Sequence, residues 1–126
     1  MKYLTSQDIY FRNIVDQQHM LILDLCKMQK KLNAKYSVGN LGVYHEWLNE
    51  LCCLSRRHYN FEEKWLKANE SPGYECYVDD YCQYELLLQA YLEAAMAGID
   101  LREECAACTL TWWTEHVSMH EVRYIN

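Results

Sequence analysis

The sequence predicts an all-α fold, an up-down-up-down bundle of four helices. Apolar side chains recur at steps of three and four residues through four long segments, which is the spacing of one face of an α-helix. The single Pro and the four Gly fall where these segments begin or end. Helices of similar length joined by short turns pack as such a bundle. With 126 residues, 51% of them hydrophobic, the chain is long enough for one buried core, and residues 1–126 are expected to form a single domain.

The first two predicted helices each present one stripe to the core. The first runs from about Phe11 to Lys35 and stops before the segment SVGNLG. The second begins after Asn40, its expected N-cap, and reaches Asn69. The inner face of the first consists of His19, Ile22, Leu23 and Cys26. The second has a stripe at alternating steps of four and three, formed by Tyr44, Leu48, Leu51, Ser55, His58, Glu62 and Trp65.

The third and fourth predicted helices are delimited by capping signals. Ser71 is the expected N-cap of the third, with Pro72 in its first turn, and Gly98 ends it. Asp100 and Glu103 resemble a capping box for the fourth. The third stripe consists of Tyr77, Tyr81, Tyr84, Leu88, Tyr91 and Ala95. The fourth inner face consists of Cys105, Thr109, Trp112, His116 and then Met119 or His120.

Composition excludes several classes of function. A net charge of −6 and a pI near 5.3 argue against nucleic-acid binding, which needs clustered Lys and Arg. There is no apolar run long enough for a signal peptide or a membrane span, so a cytoplasmic protein without a membrane partner is expected. The seven cysteines are odd in number and are expected to be reduced thiols. The C-x-x-C at Cys105 to Cys108 lacks the context of a redox or zinc motif.

The unusual feature is that every stripe carries polar groups at core positions. A buried carboxylate such as Glu62 costs several kcal/mol unless it is paired, and no Lys or Arg occupies the matching stripes. A bound cation would supply the partner. Imidazole, carboxylate and phenolate ligands suit iron better than calcium or magnesium, and zinc is compatible with the same ligand types. The candidate metal ligands are His19, His58, Glu62, Tyr77, Tyr81, His116 and Glu121. Seven candidates exceed the four of a structural site, which favours two metals sharing bridging carboxylates.

Three segments together resemble the hemerythrin family, specifically its bacterial single-domain members. They are NIVDQQH (13–19), HYNFEEKWLKANESP (58–72) and WWTEHVSMHE (112–121). The resemblance implies a non-haem di-iron centre, two Fe ions bridged by Glu62 and Glu121. It also implies that His19 and His58 hold the iron that binds dioxygen or peroxide. The other iron would take His116 and a His-x-x-x-His pair on the third helix.

The chain departs from that family pattern on the third helix, where the two histidine positions are Tyr77 and Tyr81. In one hypothesis both tyrosines bind as phenolates, which stabilises ferric iron and disfavours reversible oxygen carriage. In a second, the phenols stay protonated and a mononuclear site remains on His19, His58, Glu62 and Glu121. In a third, the helix shifts by one residue and presents Cys76 and Asp80. Two smaller departures are Glu121 in place of Asp and Ser71 in place of Tyr.

The expected function is a hemerythrin-like, oxygen- or peroxide-binding di-iron protein, with no catalytic residue assigned. The alternatives are a di-iron oxidase or peroxidase and a ferric-iron binding protein that does not carry oxygen. The alternative to any metal-binding function is a bundle with a decayed site, whose tyrosines only fill space. His120 is expected to point slightly off the cavity, and His45 to lie on the surface. Trp65 and Trp112 are expected to wall the cavity, and the core to include Leu23, Leu48, Leu51 and Leu88.

Overall fold

Four long helices account for most of the chain. A computed structural model describes residues 5–35 and 41–125, apart from the side chains of residues 35, 121 and 122. The helices are α1 (Ser6–Lys35), α2 (Leu41–Ala68), α3 (Tyr74–Met96) and α4 (Arg102–His120). A π-helical segment, Glu121–Ile125, follows α4 and is called the C-terminal segment below. The helices pack against one another and the described ranges contain no strand, so the predicted four-helix bundle is confirmed.

The ends of the helices follow local hydrogen bonds. Helix α1 begins at Ser6 rather than Phe11, because Thr5 and Asp8 form a reciprocal capping box in which each backbone N–H donates to the other side chain at 3.0 Å. Gly98 ends α3 as predicted, with a φ of 77° that favours glycine. Asp100 accepts a bond from the N–H of Arg102 at 3.2 Å at the start of α4. The expected N-cap Asn40 lies outside the described residues.

The prediction that Ser71 caps α3 is wrong. The helix begins at Tyr74 and its N-cap is Gly73, which makes no side-chain cap bond. The Ser71 hydroxyl instead donates to the carbonyl of Tyr124 in the C-terminal segment. A Cβ atom on Gly73 would lie 2.8 Å from the carbonyl carbon of Tyr124, and closer still to backbone atoms of Arg123 and Tyr124. The turn before α3 therefore serves as a docking point for the C-terminal segment.

The predicted stripes are largely those that the structure buries. All six predicted residues of the α3 stripe are buried. Among the predicted α2 residues Trp65 alone is only half-buried, and on α1 Leu23 is half-buried. On α4 the prediction is corrected at one place, because Trp113 is buried and Trp112 only half-buried. Of the two residues predicted for the end of the stripe, His120 is buried and Met119 is 39% exposed. Of the four leucines expected in the core, Leu48, Leu51 and Leu88 are fully buried.

The tyrosine column on α3 is part of the core. The Tyr84 hydroxyl accepts the indole N–H of Trp113 at 2.9 Å and shares a bond with the Ser55 hydroxyl at 2.9 Å. Tyr81 stacks on Tyr59 with ring centres 4.2 Å apart. A phenol at these positions therefore buries a large apolar ring while its hydroxyl is hydrogen-bonded.

Two further predictions concern the thiols and the membrane. All seven cysteines are free thiols, and Cys26, Cys52 and Cys105 are buried. Over the described ranges, none of the helices has the length and apolarity that crossing a bilayer requires.

Candidate metal centre

Five polar side chains from three helices meet at one place in the core. They are His19 of α1, His58 and Glu62 of α2, and His116 and His120 of α4, and are called the histidine cluster below. All five are buried, with exposures between 0% and 7%. Helical spacing explains the arrangement, because a step of four residues places both members of each α2 and α4 pair on one face.

The polar atoms of the cluster point at one another. The Nε2 atoms of His19 and His58 are 3.1 Å apart. The Nε2 atom of His58 is 2.8 Å from Glu62 Oε2, and His120 Nε2 lies against Glu62 Oε1. The rings of His116 and His19 meet edge to face with centres 5.2 Å apart.

This geometry fits a metal ion. One ligand atom each from His19, Glu62, His116 and His120 lies within 4.8 Å of all the others. Ligand atoms that share one ion at bond lengths near 2.1 Å are themselves roughly 3 to 4 Å apart. The buried group could therefore hold one metal ion after small side-chain adjustments.

Gln18 orients the imidazole of His58. The Oε1 atom of Gln18 is 2.7 Å from His58 Nδ1. An amide oxygen only accepts hydrogen bonds, so Nδ1–H is the donor. In the neutral ring the proton on Nδ1 leaves Nε2 as a lone pair, and Nε2 is the atom that faces His19 and Glu62. A metal-binding histidine is commonly held in this way through its other nitrogen.

His116 has metal-binding nitrogens with no other use in the described structure. Neither Nδ1 nor Nε2 has a hydrogen-bond partner, although the side chain is buried. Its ring stacks on Trp112 with centres 4.9 Å apart and planes 13° apart. Burial lowers the pKa of His116 to about 3 and that of His19 to about 2, with neighbouring histidines contributing at His19. Both imidazoles are therefore neutral near pH 7, and His116 has a lone pair that no other described group uses.

Glu62 is the source of negative charge in the cluster. Burial alone would raise the pKa of this carboxyl group, but the contacts with His120 and His58 together outweigh burial and lower the pKa. Glu62 Oε2 is a buried oxygen that receives no hydrogen bond in the described structure, even though His58 Nε2 lies 2.8 Å away. A cation between the two atoms would satisfy both of them.

The structure places Tyr77 and Tyr81 differently. Tyr77 is buried beside the cluster, with its ring centre 6.0 Å from that of His116. Its hydroxyl has no hydrogen-bond partner in the described structure, and burial, followed by the charge of Glu62, raises its pKa well above the ordinary value. The Tyr81 hydroxyl instead donates to Glu85 of the same helix at 3.0 Å. The structure thus brings Tyr77 to the edge of the cluster and does not bring Tyr81 there.

The two alternative ligands on α3, Cys76 and Asp80, are not brought to the cluster. Cys76 is exposed, and Asp80 accepts a 2.6 Å hydrogen bond from the Tyr124 hydroxyl, so the register-shift hypothesis for α3 is not supported. The side chain of Glu121, predicted as a bridging ligand, lies outside the described residues.

Two residues of the site were missed or misplaced by sequence reasoning. His120 was expected to point off the cavity, and this is corrected, because it is buried against Glu62. At 100° per residue, a step of four from His116 returns to within about 40° of the same face, whereas a step of five is about 140° away. Tyr124 lies one further step of four along the chain, and its ring centre is 5.4 Å from that of His116. The sequence signal for both residues is their spacing, because His116, His120 and Tyr124 follow one another at steps of four.

The tryptophan walls also differ from expectation. Trp112 lines the cluster through its stack on His116, as predicted. Trp113 forms a second wall, with its ring centre 5.5 Å from that of His58, and was not predicted. Trp65 stacks on Phe11 at 4.0 Å rather than on a cluster histidine.

Comparison with known proteins assigns no family to the chain. No protein-family model, no curated protein and no solved structure matches it. The function therefore has to be argued from the cluster and from the sequence motifs.

Proposed function

We propose that this protein binds iron in its histidine cluster and that dioxygen or peroxide is the small ligand of that iron, as in hemerythrin-like proteins. The observation on which this rests is the burial of one carboxylate and four imidazoles whose polar atoms converge. Burying such groups without a partner is costly. A cation at the centre of the cluster would form bonds with buried polar atoms that otherwise lack a partner.

Mixed imidazole and carboxylate ligands suit iron, zinc, copper and nickel. The three sequence segments that resemble hemerythrin select iron from this set. Four or five protein ligands leave room on an octahedral ion for an exogenous ligand, which a carrier, a sensor or an oxidase each needs. Bound iron would supply redox chemistry and Lewis acidity.

The protein's own groups set the conditions at the ion. Glu62 contributes one negative charge, and the neutral rings of His19 and His116 contribute none, so the charge of an iron ion is only partly neutralised. Gln18 keeps Nε2 of His58 available. Trp113 covers the cluster from the core side and limits the access of water to bound ligands.

Geometry favours one iron over the expected two. The four convergent ligand atoms of the described residues could bind a single ion after small side-chain adjustments. A second iron would need Tyr77 as a phenolate together with Glu121, and the raised pKa of Tyr77 opposes loss of its proton unless a metal replaces it. The di-iron centre is thus the alternative form of this proposal, and it requires a phenolate ligand.

The first test is iron uptake by the metal-free protein. Ferrous iron is added without oxygen, excess metal is removed by gel filtration, and iron per chain is counted. Glu62→Gln and His116→Ala are expected to lose the bound iron. His45→Ala is the matched control, since His45 lies on α2 beside Leu48, Asn49 and Leu92 rather than in the cluster, and it should keep the native iron content.

The second test admits oxygen or hydrogen peroxide to the loaded protein and records the visible spectrum. A reversible band supports a carrier or sensor, while catalytic turnover of hydrogen peroxide supports the peroxidase alternative. A phenolate-to-iron band that disappears in Tyr77→Phe, with two irons per chain, would support the di-iron form. If the protein takes up no iron, or retains it in both cluster variants, the proposal is refuted.

A further inference from the structure

Tyr124 links the histidine cluster to a carboxylate near the surface. Its ring centre lies 5.4 Å from that of His116 and 5.7 Å from that of His120. Its hydroxyl donates a 2.6 Å hydrogen bond to Asp80 Oδ2. The ring is 1% exposed, whereas the Asp80 side chain is 25% exposed. One face of this phenol thus meets the proposed iron ligands, while its proton points to a group in contact with solvent.

Several contacts fix this placement of Tyr124. The Ser71 hydroxyl donates to its carbonyl oxygen, and Gly73 allows the two backbones to approach where a side chain would clash. Arg123 lies 3.3 Å from Asp80 Oδ2 and holds the accepting carboxylate from the other side. Rigid placement matters, because electron and proton transfer both depend on distance.

We propose that Tyr124 is a one-electron donor to the iron centre, with Asp80 as its proton acceptor. This inference rests on the proposed function. Removing an electron alone would leave a buried cation, which is costly. Transfer of the phenol proton to Asp80 in the same step leaves a neutral tyrosyl radical and a neutral carboxylic acid. The short hydrogen bond to Asp80 makes that coupled transfer possible.

The electrons balance with hydrogen peroxide as oxidant. One peroxide takes up two electrons and two protons and yields two water molecules. Bound ferrous iron would supply one of these electrons on becoming ferric, and Tyr124 would supply the second. The proton lost by Tyr124 is taken up by Asp80, and the two protons used to form water come from solvent.

A surface pocket lies beside this pair. Its volume is about 210 Å³, and Tyr124, Asp80 and His116 line it together with Gln83, Glu115 and Arg123. A small one-electron donor in this pocket could return an electron to Tyr124, while Asp80 returns the proton. That electron and proton would restore the phenol of Tyr124, and a second electron would be needed to return ferric iron to the ferrous state.

The neighbouring tyrosines provide matched controls. The ring centre of Tyr77 lies 6.0 Å from that of His116, against 5.4 Å for Tyr124, but the Tyr77 hydroxyl has no acceptor in the described structure. Tyr84 is buried with its hydroxyl bonded to Ser55 and Trp113 rather than to a carboxylate. Neither has a group that could take up a proton on oxidation.

The test uses protein loaded with ferrous iron, mixed with one equivalent of hydrogen peroxide and frozen rapidly for electron paramagnetic resonance. The native protein should give a tyrosyl signal that narrows when ring-deuterated tyrosine is incorporated. Tyr124→Phe should lower the signal to background, and Asp80→Asn should do the same with the phenol in place. Tyr84→Phe should keep the native signal. Iron per chain and the far-ultraviolet circular dichroism are measured for every variant.

The outcomes separate the two proposals. If iron is bound but no tyrosyl signal forms, or if the signal survives in Tyr124→Phe, the electron-donor role is overturned and iron binding stands. If no iron is bound by the native protein, both proposals fall. If Tyr124→Phe does not fold, Asp80→Asn tests the proposal instead. An unchanged tyrosyl signal in Asp80→Asn would show that Asp80 is not the proton acceptor, and the proposal would be overturned.

Discussion

Acid should unfold the metal-free protein through the cluster. The pKa of His19 falls from 6.5 to about 2 and that of His116 from 6.5 to about 3 in the folded chain, mainly because burial disfavours the charged imidazole. Below pH 6.5 the unfolded chain binds these two protons and the folded chain does not. The stabilisation is therefore fully present above the unfolded pKa and is lost as pH falls towards the folded values.

The expected loss can be worked out from those values. At pH 5 each histidine of the unfolded chain is about 1.5 pH units below its pKa, which corresponds to about 2 kcal/mol. Two such groups lower the free energy of unfolding by about 4 kcal/mol between pH 7 and pH 5. That is a large fraction of the total stability of a typical domain.

The assay is urea unfolding followed by circular dichroism in the presence of a chelator. His116→Phe keeps a ring against Trp112 and removes one titrating group, so its loss between the two pH values should be about 2 kcal/mol. Equal stability of the native protein at pH 7 and pH 5 would refute the argument. The argument would also be refuted if the free energy of unfolding of His116→Phe depended on pH as strongly as that of the native protein.

Three further substitutions test other contacts. Gln18→Ala should weaken metal binding about 10- to 100-fold by releasing the imidazole that Gln18 orients, and calorimetry that shows equal affinity would contradict this. Gly73→Ala should destabilise the fold by about 1 to 3 kcal/mol, because the new methyl group meets the backbone of Tyr124; an unchanged urea midpoint would argue against that close approach. Tyr81→Phe should lower the free energy of unfolding by about 1 kcal/mol through the lost bond to Glu85 and leave the iron content unchanged. A lower iron content would indicate that Tyr81 is a metal ligand.

Periodicity was sufficient to predict the bundle and most of its core. The α3 stripe was predicted completely, because its large rings recur at helical spacing without interruption. The helix ends were less predictable, since they depend on partners that compete for the same group. Thr5 and Asp8 extend α1 towards the N-terminus. The Ser71 hydroxyl donates to the distant Tyr124 and accepts the N–H of Gly73, one residue before α3 begins.

Site residues could be predicted where the spacing along one helix was enough. They could not be predicted where the position of a second segment had to be known as well. His19, His58, Glu62 and His116 were singled out as inward polar residues, and the structure brings them together. His120 was set aside because the family count assigns the next ligand to Glu121. The side chain of His120 follows the regular geometry of α4 instead, which continues to that residue.

Tyr81 shows a different limit of sequence reasoning. Its spacing from Tyr77 places both phenols on the same face, but their hydroxyl groups extend well beyond the helix backbone. Glu85, one turn further along α3, offers the Tyr81 hydroxyl an acceptor within its own helix. Spacing fixes the direction of a Cβ atom and does not fix the partner of a long side chain.

The cluster joins α1, α2 and α4, whereas α3 is held against them by ring packing and by the hydrogen bonds of Tyr84. A bound ion would oppose only those openings of the native state that separate its ligands. Amide protons of the three linked helices should therefore exchange with solvent more slowly once metal is added. Where α3 detaches by itself, its amide protons should exchange at the same rate with and without metal. Hydrogen exchange would thus distinguish α1, α2 and α4, whose opening depends on bound metal, from α3, whose opening depends on its own packing.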